Sequence, residues 1–206
     1  MKLLVASTNP GKLREFQSIL RAFPFDLLLP ADLGIRLSVD ETGSTYAENA
    51  LIKARAYAAA SGILTLADDS GLEVAALDGA PGLYSARYSP APNAGDKDRR
   101  NLLIHNLRAS GAPLPTDGWP ARFVCAAALA SPAGSTQLFE GVCPGDIIPE
   151  ERGSNGFGYD PIFYLPEYGK TMAELPSEVK DRISHRAKAV LQLAAWLLQH
   201  HVPPPS

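Results

Sequence analysis

The chain of 206 residues has two cysteines, Cys125 and Cys143, both inside apolar runs. That excludes a disulfide framework and points to reduced core thiols in a reducing compartment. No Cys or His spacing suits a zinc site. Excess charge is also scarce: 19 Lys and Arg against 22 Asp and Glu leave a formal net charge of −3. Nothing resembles the basic stripe of a duplex-binding protein, so no nucleic-acid partner is expected. No apolar run approaches the length that spans a bilayer, and none is expected to meet a membrane. Met1 to Ala6 is too short for a signal sequence before Ser7-Thr8-Asn9-Pro10 breaks it, which makes a cytoplasmic protein the expectation. G-x-S-x-G and G-x-G-x-x-G are missing, and so is the first glycine of a P-loop. There is no internal repeat and no dividing linker. The reading is one catalytic domain over 1–206, 46% hydrophobic and large enough for one good core, with a frayed tail at 200–206.

What the chain does have is organised around Thr65 to Ser89. Ile63 to Ala67 reads as a short buried strand that stops at Asp68-Asp69-Ser70-Gly71. Adjacent carboxylates are poor strand residues and are not expected to sit together in an apolar core. Strand ends are where α/β folds gather their chemistry. Alone, the same four residues also fit a solvated turn. Asp78 to Gly82 forms a rigid turn, followed by a polar tail with Tyr84, Ser85, Arg87 and Tyr88.

Upstream, Lys2 to Ala6 is a strand and Ser7 to Lys12 leads into a helix. Asn9 suits the N-cap and Pro10 the first helical position, and Leu13, Phe16, Leu20 and Phe23 recur on one face. A hydroxyl-rich turn at a helix N-terminus is a natural anion site. Lys12 opposes the helix dipole there, which hints at a negative ligand, although a solvated lysine fits this stretch equally. Phe25 to Leu29 is a second strand, and Asp40 to Ser44 an acidic loop. Thr45 to Ala60 is a helix with a Thr45/Glu48 capping box and a stop at Gly62. Asn49 and Lys53 share one of its faces, by spacing alone more readily a solvated face than a site.

Downstream, Asp96 to Arg108 is a helix that buries Leu102, Leu103 and Leu107, with His105 structural. Gly111 to Pro120 is a surface loop, and Arg122 to Ala130 and Thr136 to Cys143 form a hairpin around Ser131-Pro132-Ala133-Gly134. In Gly153 to Pro161, three glycines let backbone approach a ligand, Phe157 and Tyr159 offer flat faces for a base, and Asp160 offers an acceptor. Packing of that loop on its own domain is an even alternative. Ser184 caps the last helix, whose first turn holds His185 and Arg186; with Lys180 they make a cradle for a polyanion or a base edge.

Cationic helix starts, carboxylates and a stacking platform together suit a nucleotide bound through Mg²⁺ or Mn²⁺. A carboxylate beside the metal could deprotonate water, so hydrolysis of a phosphate ester or anhydride is the expected reaction. A nucleotide sensor without turnover is the alternative, which the carboxylates argue against.

In this order, certain stretches resemble the inosine/xanthosine triphosphate pyrophosphatase family. They are Ala6 to Lys12, Glu41-Thr42-Gly43, Glu48-Asn49-Ala50 with Lys53-Ala54, Ala67 to Leu72, Gly79 to Gly82, Tyr84 to Tyr88, Gly156 to Pro161 and Ser184-His185-Arg186. The resemblance implies an elongated mixed β-sheet flanked by helices, an α/β fold of two lobes with a central nucleotide-binding cleft, and a homodimer. It implies Mg²⁺-dependent cleavage of ITP, dITP and XTP to monophosphate and pyrophosphate. By the same resemblance Asp69 is the catalytic base and a metal residue, with Asp68 and Lys53 beside it, and an acidic residue of the Asp40-Glu41 pair is the second metal ligand, the family pattern pointing to Asp40. Ser7, Thr8, Asn9, Pro10, Gly11, Lys12 and Ser70 become phosphate neighbours. Phe157, Gly158, Tyr159, Asp160, Lys180, His185 and Arg186 become the substrate and base pocket. Two departures stand out: Ser7-Thr8-Asn9 replaces a Thr-Gly-Asn type start, and Asp40 stands where a longer Glu is common.

Overall fold

A computed structural model describes residues 1–113, 115 and 118–200. The tail predicted to fray therefore falls, beyond His200, outside the described residues, as does part of the Gly111 to Pro120 loop.

In chain order the elements are β1 (Lys2–Val5), α1 (Pro10–Leu20), β2 (Asp26–Leu28), α2 (Tyr46–Ser61), β3 (Thr65–Val74), α3 (Asp96–Ala109), β4 (Trp119–Ala130), β5 (Thr136–Ile147), β6 (Phe163–Leu165), β7 (Lys170–Thr171), α4 (Ser177–Ile183) and α5 (His185–His200). The strands form one seven-stranded sheet in the order β2-β1-β3-β4-β5-β6-β7. β1 runs parallel to β2 and β3, whereas β6 runs antiparallel to β5 and β7, so the sheet is mixed, as expected. By contacts the chain divides into two compact units: Met1–Asp69 with Cys125–Gly141 and the segment from His185, and Ser70–Val124 with Val142–Ser184.

In the first unit the pleat sorts side chains to two faces. Leu3, Val5, Leu66, Cys125, Ala127 and Leu129 pack on Phe16, Ile19 and Leu20 of α1 and on Val190, Leu193 and Leu197 of α5. The intervening residues, Leu4, Ala6, Ala67, Ala126, Ala128 and Ala130, meet Ala50, Ala54, Tyr57 and Ala58 of α2. The small residues on this second face let α2 lie close to the strands. The second unit has its own core, with Leu72, Val74, Leu103, Leu107, Trp119, Phe163 and Met172 at its centre.

Local signals account for most boundaries. Asn9 Oδ1 accepts the Gly11 and Lys12 amides at 2.8 and 3.2 Å, and so starts α1. Thr45 Oγ1 accepts the Glu48 amide at 3.1 Å to start α2, and Gly62 ends it in the left-handed region at φ 67°. α1 ends at Leu20, short of Phe23, whose ring instead stacks on Phe25 with centroids 5.7 Å apart. The Ser131 to Gly134 turn joins β4 to β5. Both strands run longer than the sequence suggested, β4 starting at Trp119 and β5 reaching Ile147.

The larger correction concerns β3. It does not stop at Asp68 but runs on through Asp68, Asp69, Ser70 and Gly71 to Val74, and both carboxylates are buried, at 2% and 8% exposure. The physical reason lies in what each of them meets.

Candidate active site

Neighbouring residues on a strand point to opposite faces. Asp68 shares the face of Leu66 and looks toward α1 and α5; Asp69 shares the face of Ala67 and looks toward α2. The adjacent carboxylates therefore do not share one environment, and the cation nearest each is a different one.

Asp68 Oδ2 lies 3.1 Å from Lys12 Nζ, and 3.1 and 3.0 Å from Nε and Nη2 of Arg186. Arg186 is 2% exposed and is also paired through Nη1 with Glu15 of α1. Burial alone would raise the Asp68 pKa, but Lys12, Arg186 and Lys53 outweigh it and hold the carboxyl well below its usual range. Burial likewise disfavours the Arg186 cation, and Asp68 and Glu15 more than reverse this. The Cys125 thiol sits 3.9 Å from Asp68 Oδ2, and burial and that carboxylate push its pKa up, so it remains a thiol. Neither cysteine is in a disulfide and both are buried, as the sequence suggested.

On the other face, Asp69 Oδ2 accepts from the Asn49 side-chain amide at 3.0 Å, and Asp69 Oδ1 lies 4.0 Å from Lys53 Nζ. Asn49 is itself oriented by the Gly43 amide, which donates to its Oδ1 at 2.8 Å. A Cβ at Gly43 would lie 2.6 Å from Glu48 Cβ and 2.7 Å from that Oδ1, so a side chain there would displace Asn49. Burial raises the Asp69 pKa above the ordinary carboxylate value, against the pull of Lys53, Asn49 and Lys12. Two chemically identical residues thus differ in kind: Asp68 is held ionised by cations, while Asp69 is made more basic. Lys53 loses by burial but gains more from Asp68, Asp69 and Glu41, and its pKa is raised.

Lys53 and Asn49 face inward, against the solvated face that their spacing alone favoured. The acidic residue that meets them is Glu41, with Oε1 at 2.5 Å from Lys53 Nζ; Asp40 is exposed. Of the pair left open by the sequence, Glu41 is the one that lies against Lys53, half-buried where Asp40 is exposed.

The remaining expected residues of this unit cluster around α1 and α5. Ser7 Oγ accepts the Asn9 amide at 3.2 Å, Thr8, Asn9 and Pro10 are exposed at the crown of the loop, and Gly11 is buried. His185 opens α5 and is buried. Gly141 of β5 explains how closely α5 comes: a Cβ there would run into the His185 carbonyl oxygen and lie 2.7 Å from the Ala189 nitrogen.

The second unit gathers Phe157, Gly158, Tyr159, Asp160 and Lys180. Asp160 is buried, accepts the Phe157 amide at 2.9 Å and lies 2.5 Å from Lys180 Nζ, which is 5.3 Å from the Phe157 ring centroid. Tyr159 is not an open face: it is 4% exposed in the core, its hydroxyl donates to the Ser85 carbonyl at 2.9 Å, and burial raises its pKa. Phe157 alone of the two rings remains half-buried. Ser70 is half-buried on β3.

The sequence reading missed Glu15 and the pair Asp96 and Arg100 of α3. Glu15 had a signal, lying one helical turn from Lys12, and a cation in a helix first turn such as Arg186 calls for carboxylates nearby.

The Ham1 family model matches residues 3–196. The chain belongs to the Ham1 family. It is 44% identical over 198 residues to a dITP/XTP pyrophosphatase of Listeria monocytogenes, covering 96% of this chain and 95% of the relative. It is 47% identical over 192 residues to the protein of that name from Geobacter sulfurreducens, covering 93% and 94%. A HAM1 protein structure from Coxiella burnetii superposes with a TM-score of 0.85 at 41% identity, covering 97% of this chain and 99% of that one. A nucleoside-triphosphatase / dITP/XTP pyrophosphatase from Mycobacterium abscessus gives a TM-score of 0.71 at 42% identity, covering 94% and 98%. Among the described residues no helix is long and apolar enough to cross a membrane.

Proposed function

We propose that this chain hydrolyses the non-standard purine nucleoside triphosphates ITP, dITP and XTP to the monophosphate and pyrophosphate. The observation that carries the reading is Asp69: a buried carboxylate of raised basicity, held by Asn49 beside Lys53, in a chain whose relatives bear the dITP/XTP pyrophosphatase name. In the step proposed, a water oxygen attacks the α-phosphorus while the bond from that phosphorus to the α–β bridging oxygen breaks. Pyrophosphate leaves with the electron pair, and the water proton passes to Asp69. Lys12 and Lys53 neutralise phosphate charge, and Asp68 with Arg186 fixes where Lys12 can reach.

Glu41 and Asp69 fit Mg²⁺. They are hard oxygen donors from separate elements, and the Lys53 ammonium between them marks the spot as one that favours a cation. Mg²⁺ typically takes one or two carboxylates and completes its shell with water and substrate phosphates. Bound there it would supply Lewis-acid stabilisation of charge on phosphate oxygens, and Mn²⁺ shares that donor preference.

A 6-oxo base is favoured over adenine where the pocket donates to O6, since a 6-amino group leaves donors facing donors. A homodimer completes the reading on the resemblance alone, and equilibrium sedimentation checks it.

The test is incubation with ITP, dITP, XTP, ATP and GTP in Mg²⁺, separating pyrophosphate from orthophosphate. Pyrophosphate with monophosphate, mainly from the 6-oxopurine substrates ITP, dITP and XTP, is expected. Orthophosphate with diphosphate would move the attack to the γ-phosphate and overturn the mechanism. Binding without product would favour a sensor.

A further inference from the structure

α3 was assigned nothing beyond a buried face, yet its first turn holds the loop that carries Phe157. Asp96 opens α3 and Arg100 lies four residues on, so both side chains rise from one face of the helix. Asp96 Oδ2 accepts the Gly158 amide at 2.7 Å, and Arg100 Nη1 donates to the Gly158 carbonyl at 2.7 Å. One helix face thus grips both peptide groups of a single glycine.

Neither gripping side chain is loose. Arg100 is fixed by Glu151 through two bonds of 3.0 Å, one from Nε and one from Nη2. Asp96 pairs with Arg99, which also donates to the Ala94 carbonyl at 2.8 Å. Burial works against the Asp96 carboxylate, but the Gly158 amide and Arg99 outweigh it and its pKa is lowered, so the acceptor is charged at neutral pH. Gly158 has φ 62°, a conformation that glycine reaches without steric cost.

The gripped amide belongs to the peptide that joins Phe157 to Gly158. The preceding amide, that of Phe157, goes to Asp160 at 2.9 Å. Phe157 is therefore pinned on both sides, by Asp160 before and by Asp96 and Arg100 after, which fixes where its Cβ points and limits its ring to the rotamers open from there.

We infer that Asp96 and Arg100 are positioning residues for base recognition: by clamping Gly158 they preset the Phe157 ring on which the purine stacks. The inference rests on the nucleotide reading above. A preset ring spares the binding step the ordering of a loop. A loop released from α3 must be ordered by the nucleotide itself, so affinity falls while the chemistry at Asp69 does not change.

The experiment compares wild type with Asp96→Ala, Asp96→Asn and Arg100→Gln, using ITP turnover and amide hydrogen exchange at Gly158. Asp96→Ala is expected to raise the KM for ITP about tenfold, as loss of one charge-assisted hydrogen bond would. Its kcat should stay within about twofold, the pattern of lost binding rather than lost catalysis. Gly158 exchange should quicken in the same variant, and Asp96→Asn, which keeps an acceptor oxygen, should restore part of both. Arg100→Gln leaves the α3 N-terminus intact and should raise KM in the same direction if Asp96→Ala fails to fold. A merely structural role would lower kcat through a smaller active fraction at unchanged KM, and that result overturns the inference. So does unchanged exchange at Gly158. Wild-type protein that releases no pyrophosphate from ITP overturns the functional reading, whereas wild-type turnover with an unmoved KM in the variants overturns this inference alone.

Discussion

Replacing Asp68 by Asn keeps the shape of the side chain and removes its charge. Asp68 is 2% exposed and receives three close contacts from two cations, Lys12 at 3.1 Å and Arg186 at 3.1 and 3.0 Å. With an effective dielectric constant of ~20, two unit charges at this separation attract by roughly 5 kcal/mol before desolvation is counted. Desolvation consumes part of that gain in the wild type. In Asp68→Asn the desolvation of Arg186 and Lys12 stays while the attraction goes, and breaking a buried pair in this way costs about 3–5 kcal/mol. Glu15 still neutralises Arg186, which argues for the lower end. A fall of ~3 kcal/mol in a chain of this size lowers Tm by on the order of 10 °C. The pH dependence sharpens the test. The folded pKa of Asp68 is depressed, so its stabilisation is fully present above the unfolded value of about 3.9 and is lost as pH falls toward the folded value. The Tm gap between wild type and Asp68→Asn should therefore be constant near neutrality and close below about pH 4. Calorimetry of both proteins from neutral to acid pH measures it. A gap below about 2 °C at neutral pH, less than 1 kcal/mol, would refute the reasoning, as would a gap that persists unchanged into acid.

Asp69→Asn should abolish turnover of ITP while circular dichroism and Tm stay near wild type. Because burial raises the Asp69 pKa in the metal-free protein, NMR titration of its carboxyl without Mg²⁺ should show ionisation above the ordinary carboxylate range, and an ordinary or lowered value would contradict the assigned environment. Lys53→Met removes the largest pull that lowers that pKa, so the same metal-free titration should move further toward neutrality, and a shift the other way would contradict the assigned pairing. Glu41→Gln should raise the Mg²⁺ concentration needed for half-maximal rate about tenfold, whereas Asp40→Asn should not; chelation with EDTA should abolish the wild-type rate. Gly141→Ala should cost about 1–3 kcal/mol in urea denaturation, since its methyl meets α5 backbone rather than a movable side chain.

Helix starts were legible because their signals are local: Asn9 and Thr45 cap the helices they were expected to cap, and Gly62 ends α2. The hairpin at Ser131 to Gly134 was legible for the same reason. The course of β3 was not. Seen along the chain, Asp68-Asp69 breaks an apolar run, and a rule against buried charge ends the strand there. What overrides the rule is supplied by residues far off in sequence, Arg186 being 118 positions from Asp68. The sequence left the Asp40-Glu41 pair undecided for a related reason, since which of two neighbouring carboxylates lies against Lys53 depends on where α2 places that lysine. Tyr159 and Phe157 read alike in sequence, and only the Ser85 carbonyl, which takes the Tyr159 hydroxyl into the core, separates them.

The adjacency that misled the reading of β3 also explains how the first unit can work. Two carboxylates one residue apart on a loop would share solvent and repel each other. On a pleated strand they face opposite ways, and each takes its closest contacts from the helices it faces. α1 and α5 bring Lys12 and Arg186 to one, which stays ionised and holds Lys12 in place. α2 brings Asn49 and a more distant Lys53 to the other, which keeps the basicity a proton acceptor needs. A strand through the middle of a packed sheet is a rigid mount for such a pair, because moving either carboxylate means moving β3 against the cores on both its faces. The burial that seemed to forbid this arrangement is what gives its two members different chemistry.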